Sequence, residues 1–473
     1  MHRVRPLGRI RCAHAPAPLS SPSPLSRTGS SPDRRLPAVD IVRGVTILWV
    51  TALHFYLDTR GLPGPALASG AATWDALTSG RIAEAGAVAL RSFIGLPGFR
   101  LDLLLCVTAL VASLGRGVPA RVFYRRRLRA ILPQYWLGSL AVLAVLIACA
   151  SLRSLMGQAS LADELAHGSR LAGQPYSFLW SDVFRSLSVV GRLADQRAMQ
   201  VVAPSLWYLV LVGQLLLVFP WLQRLHRALG TSTFLLACVA VTWAGRAWVF
   251  AVEPLPGFDT NATVTCFLPF RLIAPAIGMA IATPLVGVLT AANPVRLPVG
   301  VRLSLTVVAG HALLAATWLG AGMNVPGTLS GILGPVPPLV LALPAMLWVA
   351  FTAQGWSHLG PVLRWAGTHS LSILVVQDML RLVVGTVAAL GGPVSSWPWL
   401  ALPLHLAAVM LLARLWHPWP ERLARRVDAA WPGRRSGDRS AASVPIVQTD
   451  GEPMMPGLRM TPMDAAPPPS LHS

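Results

Sequence analysis

Ionisable residues stand at regular spacing in and just beyond the first long apolar run, Val39–Leu57; they are Asp40, Arg43, His54 and Asp58. At about 100° per residue, Arg43 and His54 fall on nearly one face of a helix, roughly 16 Å apart along its axis. An imidazole can take a proton from a hydroxyl, and a guanidinium can bind phosphate. This face therefore suits a general base with an anion site. The alternatives are an interhelical hydrogen bond for His54 and a topology anchor for Arg43.

Asp102 lies near the start of the second apolar run, and we expect its depth to resemble that of His54. Its carboxylate can accept the Nδ1 proton of a histidine and hold the ring as a base. An ion pair with the neighbouring Arg100 is the alternative. Other ionisable residues of the apolar runs are Arg246, Arg271, His311, Asp378 and Arg381. Asp378 and Arg381 are three residues apart, so they can neutralise each other on one helix face.

A basic cluster precedes the third apolar run and contains Arg125, Arg126, Arg127 and Arg129. At minimum it is a topology signal, because arginine concentrates in cytoplasmic loops. Arginine forks also match phosphate oxygens bidentately. The cluster is therefore also a candidate for holding the phosphates of a soluble donor.

The composition predicts a membrane protein. Hydrophobic residues make up 54% of the 473 residues, and charged residues only 12%, against about 25% in soluble domains. The net charge of +20 comes entirely from arginine, since the chain contains no lysine. In a polytopic protein this charge fits cytoplasmic loops facing anionic lipid, so we expect no nucleic-acid partner. No CxxC, HExxH, GxSxG or Walker motif occurs, and we expect neither a metal site nor a resident cofactor.

Roughly ten apolar runs are long enough to span a bilayer. They are Val39–Leu57, Leu96–Leu114, Ala130–Leu152, Leu206–Leu222, Phe234–Val252, Cys266–Leu289, Leu303–Leu319, Ile332–Phe351, Leu371–Leu390 and Leu400–Trp416. The fold class predicted is therefore an all-α bundle of about ten transmembrane helices. Most arginines of the connections fall on the side of the basic N-terminus, which places both termini in the cytoplasm.

The flanks of the bundle differ in composition from its interior. Residues 1–35 are rich in Arg, Pro and Ser and predict a disordered, basic cytoplasmic tail. Residues 36–420 form the predicted transmembrane domain, and residues 421–473 a cytoplasmic flank with a disordered end. The connection Arg153–Pro204 is unusually long, so it is a candidate acceptor-binding or gating element.

The predicted orientation can be tested with single cysteines at Val122, in the basic connection Arg116–Arg129, and at Ala172, in the long connection Arg153–Pro204. We expect an impermeant thiol reagent to label Ala172→Cys, but not Val122→Cys, on intact cells, because short basic loops stay in the cytoplasm. The opposite labelling pattern would overturn the orientation.

The motifs resemble those of the acyltransferase-3 family of integral-membrane O-acyltransferases. Asp40, Arg43, Gly44 and His54 resemble the D-x-x-R-G start and R-x10-H motif of that family. Three further matches follow in order: Leu101–Leu104 resembles G-V-D-L-F-F, Phe123–Tyr135 the basic entry to the third helix, and Leu206–Pro220 the W-x-L…E-Q-F-Y…P helix. The chain departs from the family pattern at Thr108, Ala130, Val212 and Gly213, and at Gln377, where the family has a late histidine.

The resemblance implies an enzyme that moves an acyl group from cytoplasmic acyl-CoA to a hydroxyl of a carbohydrate, cell-envelope glycan or secondary metabolite. His54 would be the base and Asp102 would orient it, while Arg43, Arg126, Arg127 and Arg129 would bind the donor. Its partners would be acyl-CoA, a carbohydrate or glycolipid acceptor and membrane lipid, and its place a bacterial plasma membrane. A flippase or transporter for a glycolipid precursor is the alternative function, and a non-catalytic relative on the same scaffold is another.

Overall fold

The computed structural model describes residues 36–60, 78–80, 99–114, 119–168, 179–188, 201–202, 204–252, 266–291, 298–321, 329–390 and 398–430. Nearly all of these residues are helical, and none of them forms a strand. The α-helices are α1 (Pro37–Arg60), α2 (Phe99–Leu114), α3 (Ala120–Leu155), α4 (Leu161–Gly168), α5 (Trp180–Leu187), α6 (Trp207–Val252), α7 (Ile273–Ala291), α8 (Val299–Ala321), α9 (Leu329–Leu333), α10 (Val336–Ala353), α11 (Leu359–Thr368), α12 (Ser370–Ala389), α13 (Pro398–Trp416) and α14 (Pro418–Ala430). Short 3₁₀ helices at Pro204–Leu206 and Leu268–Arg271 precede α6 and α7.

The protein is a helical membrane protein. Six of the described helices are long and apolar enough to cross a bilayer, and they are α1, α3, α6, α8, α10 and α12. Each of the ten predicted runs is helical over most of its described residues. The number of crossings and the side of the termini stay predictions. The predicted tail, residues 1–35, lies outside the described residues, as do residues 431–473 of the C-terminal flank.

Helix α1 is the most enclosed of the six spanning candidates. It packs against α2, α10, α11, α12 and α13. Its contact with α11 is a backbone contact: a Cβ at Gly44 would overlap the Leu363 carbonyl oxygen, and a Cβ at Gly367 would overlap that of Asp40. Only glycine permits so close an approach. The Gly44 of the D-x-x-R-G motif therefore lets α1 dock on α11, just before α12 begins.

Helix α6 contains two of the predicted runs. Leu206–Leu222 and Phe234–Val252 were predicted as separate helices, and α6 consists of two helical segments that meet at a kink between them. The break between them is a single residue, Gly230, at φ 73° and ψ 166°. That conformation is accessible essentially only to glycine, so a sharp change of direction needs no loop here.

The long connection Arg153–Pro204 contains helical segments among its described residues. Helix α3 continues to Leu155, and α4 and α5 lie within the connection. Arg153 is buried, forms an ion pair with buried Glu164 of α4 and donates a 2.7 Å hydrogen bond to Thr386 of α12. A buried charge pair with further hydrogen bonds fixes its surroundings. This ion pair holds α4 against the bundle near the C-terminal end of α12.

Candidate functional site

Two polar side chains from other parts of the chain contact His54 at Nδ1. Its Nδ1 atom lies 3.1 Å from Oγ of Ser205 and 3.0 Å from Nε2 of Gln377. Ser205 belongs to the 3₁₀ helix before α6, and Gln377 belongs to α12. The imidazole itself is half-buried. Residues far apart in sequence therefore fix one edge of the His54 ring.

Ser205 connects the ring to a buried ion pair. Its Oγ donates to Oδ1 of Asp378 at 2.6 Å, and its backbone N–H donates to Oδ2 at 2.9 Å. Arg381 donates to the same Oδ1 at 3.1 Å. Ser205, Asp378 and Arg381 are all buried. The predicted pairing of Asp378 with Arg381 is confirmed, and the pair also reaches His54 through Ser205.

Gln377 of α12 links His54 to Thr51, which lies about one turn earlier on α1. Its Oε1 atom lies 2.7 Å from Oγ1 of Thr51, and that hydroxyl lies 2.9 Å from the carbonyl oxygen of Ile47. Neither Gln377 nor Thr51 is exposed. Because unsatisfied polar atoms are costly in such surroundings, the Gln377 amide is held by two residues of α1, Thr51 and His54.

Asp102 does not contact His54, which corrects the predicted role of its carboxylate. Its Oδ2 instead accepts a 2.5 Å hydrogen bond from Nη1 of Arg271, and both side chains are fully buried. The reason is packing: α2 lies against α7, so the first turn of α2 meets Arg271 of the 3₁₀ helix that precedes α7. The alternative pairing with Arg100 is also wrong, since that guanidinium lies over the Trp49 ring at 5.4 Å.

Arg43 and Arg127 are brought together at the other end of the α1 face. Nη2 of Arg43 donates to Oγ of Ser370 at 3.0 Å, and Arg43 has no acidic partner among the described residues. Arg127 of α3 lies close enough for the two positive charges to interact. Arg126 is exposed and Arg129 is half-buried on the same helix. The Arg43 and Arg127 guanidinium groups, together with the Ser370 hydroxyl, can form an anion site.

Arg127 also borders a cavity of about 520 Å³ between α3 and α6. Apart from Arg127 and two tyrosines, its lining is apolar, and it is formed by Tyr124, Leu128, Ile131, Leu132, Tyr135, Leu209, Val210, Gly213, Leu216, Leu217, Val218 and Trp221.

Sequence reasoning did not assign Ser205 to the site. It is an ordinary serine, and its only signal is that it directly follows the long connection Arg153–Pro204. Gln377 was visible only as a departure from the family pattern. The pattern has a histidine there, and the structure places the Gln377 amide against His54.

A comparison with family models gives one match that covers most of the chain. Residues 36–415 match the model Acyl_transf_3, described as an acyltransferase domain. The matched range contains Arg43, His54, Ser205, Gln377 and Asp378. No curated protein and no solved structure matches the chain.

Proposed function

The chain belongs to the acyltransferase-3 family, and we propose that it transfers an acyl group from cytoplasmic acyl-CoA to a hydroxyl of a carbohydrate, cell-envelope glycan or secondary metabolite. A membrane acyltransferase is the general activity that the family and the apolar helices indicate. The proposed location is a bacterial plasma membrane. One observation carries the specific mechanism, namely that buried partners hold His54 by Nδ1 in a polar network inside the bundle.

In the proposed reaction, Nε2 of His54 takes the proton of the acceptor hydroxyl. The acceptor oxygen then attacks the thioester carbonyl and forms the new ester bond, while the carbon–sulfur bond breaks. The imidazolium returns its proton to the departing thiolate, which leaves as free CoA. A base is needed because a hydroxyl is a poor nucleophile at neutral pH, and such catalysis contributes typically 10²–10⁴-fold. Atoms and charge balance without another reactant.

The donor would lie along the α1 face. Arg43 and His54 are eleven residues apart, or about 16 Å along a helix. Arg43 and Arg127 would bind the phosphates of the donor by charge-assisted hydrogen bonds, with Arg126 and Arg129 adding positive charge nearby. The thioester end of an elongated donor would then reach His54. Asp102 has no part in this mechanism; we assign it to the structural pair with Arg271.

Release of free CoA by purified protein in lipid nanodiscs tests the proposed activity. We expect thiol release that depends on the protein, on acyl-CoA and on a hydroxyl acceptor, and we expect mass spectrometry to find the acyl increment on the acceptor. A flippase or a non-catalytic relative would release no thiol under any of these conditions. That result, obtained with folded protein and a broad acceptor panel, would refute the enzyme.

Donor binding gives a separate prediction. Arg43→Ala and Arg127→Ala should each raise the donor KM by about 10- to 100-fold, because each removes a charged hydrogen bond worth about 1.5–3 kcal/mol. The acceptor KM should change little. Steady-state kinetics with both substrates varied gives the two constants. Arg121→Ala is the control, since Arg121 is exposed on the same helix α3 as Arg127. A rise confined to the acceptor KM would show that these arginines do not bind the donor.

A further inference from the structure

We propose that Ser205 and Asp378 fix the proton of neutral His54 on Nδ1, so that Nε2 is the nitrogen presented to substrate, and that Gln377 supports this tautomer with its carbonyl oxygen. Ser205, Asp378 and Gln377 are thus positioning residues. That this tautomer matters for catalysis rests on the proposed function. The position of the proton itself follows from the hydrogen bonds described below.

The first step is the charge of Asp378. Its carboxylate accepts from the guanidinium of Arg381 at 3.1 Å and from the backbone N–H of Ser205 at 2.9 Å. Hydrogen bonds to the charged form and a neighbouring positive charge both favour ionisation. An ionised carboxylate only accepts hydrogen bonds. The 2.6 Å contact between Oγ of Ser205 and Oδ1 of Asp378 must therefore use the hydroxyl proton of Ser205.

The second step is the contact between Ser205 and the ring. A serine hydroxyl has one proton, and Asp378 has taken it. At 3.1 Å from Nδ1, Oγ of Ser205 can then act only as an acceptor. Nδ1 of His54 must be the donor in this contact. In a neutral imidazole one nitrogen carries the proton and the other accepts, so Nε2 has the lone pair.

The third step is the orientation of the Gln377 amide. The oxygen and nitrogen of a carboxamide occupy equivalent positions, so the hydrogen-bond network decides which faces His54. With Nδ1–H as donor, the amide oxygen must face His54 and the amide NH₂ must face Thr51. Thr51 can accept from that NH₂ while it donates to the Ile47 carbonyl oxygen, 2.9 Å away. In this arrangement each contact pairs a donor with an acceptor, and the single Nδ1 proton is shared between Oγ of Ser205 and the amide oxygen of Gln377.

The opposite tautomer creates a conflict at Ser205. If the Nδ1 lone pair accepted from Gln377, Oγ of Ser205 would face both Nδ1 and Asp378 with only one proton. One of two buried contacts would then join two acceptors. In addition, Nε2 would carry the proton and could not act as a base. In the proposed arrangement, no hydrogen bond has to change when Nε2 takes a proton, because Nδ1–H already points to its acceptors. The site is therefore preorganised for the imidazolium.

Nitrogen-15 solid-state NMR of the full-length protein in lipid bilayers tests the proton position directly. Histidine is labelled, and the His54 signals are identified by their loss in His54→Gln. At a pH where the ring is neutral, shown by titration of those signals, we expect Nδ1 to be protonated and Nε2 to be unprotonated. A ring protonated mainly on Nε2 would overturn the inference.

Variants test the assignment to named residues. Ser205→Ala should lower kcat about 10-fold and the double variant Ser205→Ala, Gln377→Leu about 100-fold, with the donor KM within about twofold in both. The His54 proton should move toward Nε2 in the double variant. Ser113→Ala is the control: Ser113 is buried on α2, and its hydroxyl has no partner among the described residues. An unchanged tautomer in the double variant would contradict the assignment.

Gln377→Glu keeps the test available if the double variant fails to fold. A carboxylate can only accept, so this variant should retain the Nδ1–H tautomer. Loss of the Nδ1–H signal in Gln377→Glu would show that Gln377 acts as a donor, against the inference. The NMR result is independent of turnover. An Nδ1–H tautomer in a protein that transfers no acyl group would refute the proposed function alone. Acyl transfer by a protein with the Nε2–H tautomer would refute this inference alone.

Discussion

Replacing His54 with alanine is expected to lower acyl transfer by about 10²-fold or more, because general-base catalysis contributes about that much. The variant removes the ring that Ser205 and Gln377 hold. Donor binding should be largely retained, since Arg43 lies about three turns away along α1. Steady-state rates and the donor KM, measured on equal amounts of folded protein, separate the two effects.

A control on the same helix shows whether the loss is specific. Thr46 is buried on α1, and its hydroxyl donates to the backbone carbonyl of Val42, its one hydrogen-bond partner among the described residues. Thr46→Val should therefore keep transfer near the starting rate. If Thr46→Val lost as much activity as His54→Ala, both results would reflect damage to α1 packing. The histidine would then have no demonstrated part in catalysis.

Asp102→Ala is expected to destabilise the protein by about 3–5 kcal/mol, because it removes the carboxylate partner of the fully buried Arg271 guanidinium. Thermal unfolding in detergent, followed by loss of the monodisperse species, should show a lower midpoint. Asp102→Leu combined with Arg271→Met should recover much of the loss, since an apolar pair can replace a buried ion pair.

An exposed ion pair supplies the control for Asp102. Glu421 and Arg425 lie 3.4 Å apart on α14 with both side chains exposed, and such pairs contribute about 0–1 kcal/mol. Glu421→Ala should therefore leave the midpoint almost unchanged. Asp102→Ala could instead keep the unfolding midpoint of the starting protein and its donor KM, yet lose acyl transfer. That result would show that Asp102 acts in the reaction, contrary to the structural role assigned here.

The helices and their polar face follow from local sequence. Apolar runs long enough to span a bilayer have few alternatives to helix, because backbone polar groups must be satisfied within the segment. The eleven-residue spacing of Arg43 and His54 fixes their common face by helical geometry alone. The Asp378–Arg381 pair is similarly local, being three residues apart.

The partners of His54 and Asp102 depend on contacts between distant segments. Asp102 and Arg271 are 169 residues apart, and their pairing depends on how α2 docks on α7. Ser205 enters the site only because the long connection returns its end to α1, 151 residues from His54. A single sequence contains no signal for either contact. The short distance between Asp102 and Arg100 along the chain favoured a pairing that packing excludes.

Transfer of isotope-labelled acyl groups by His54→Gln is the most direct test of His54 as the base. Glutamine retains hydrogen bonding and much of the volume of the ring, but it cannot take up and release the proton during turnover. With donor saturating and folded protein matched, wild-type protein should label the acceptor hydroxyl, and His54→Gln should label it at about 1% of that rate or less. Near-normal transfer by abundant, folded His54→Gln protein would contradict the mechanism and reduce His54 to a structural hydrogen-bonding residue.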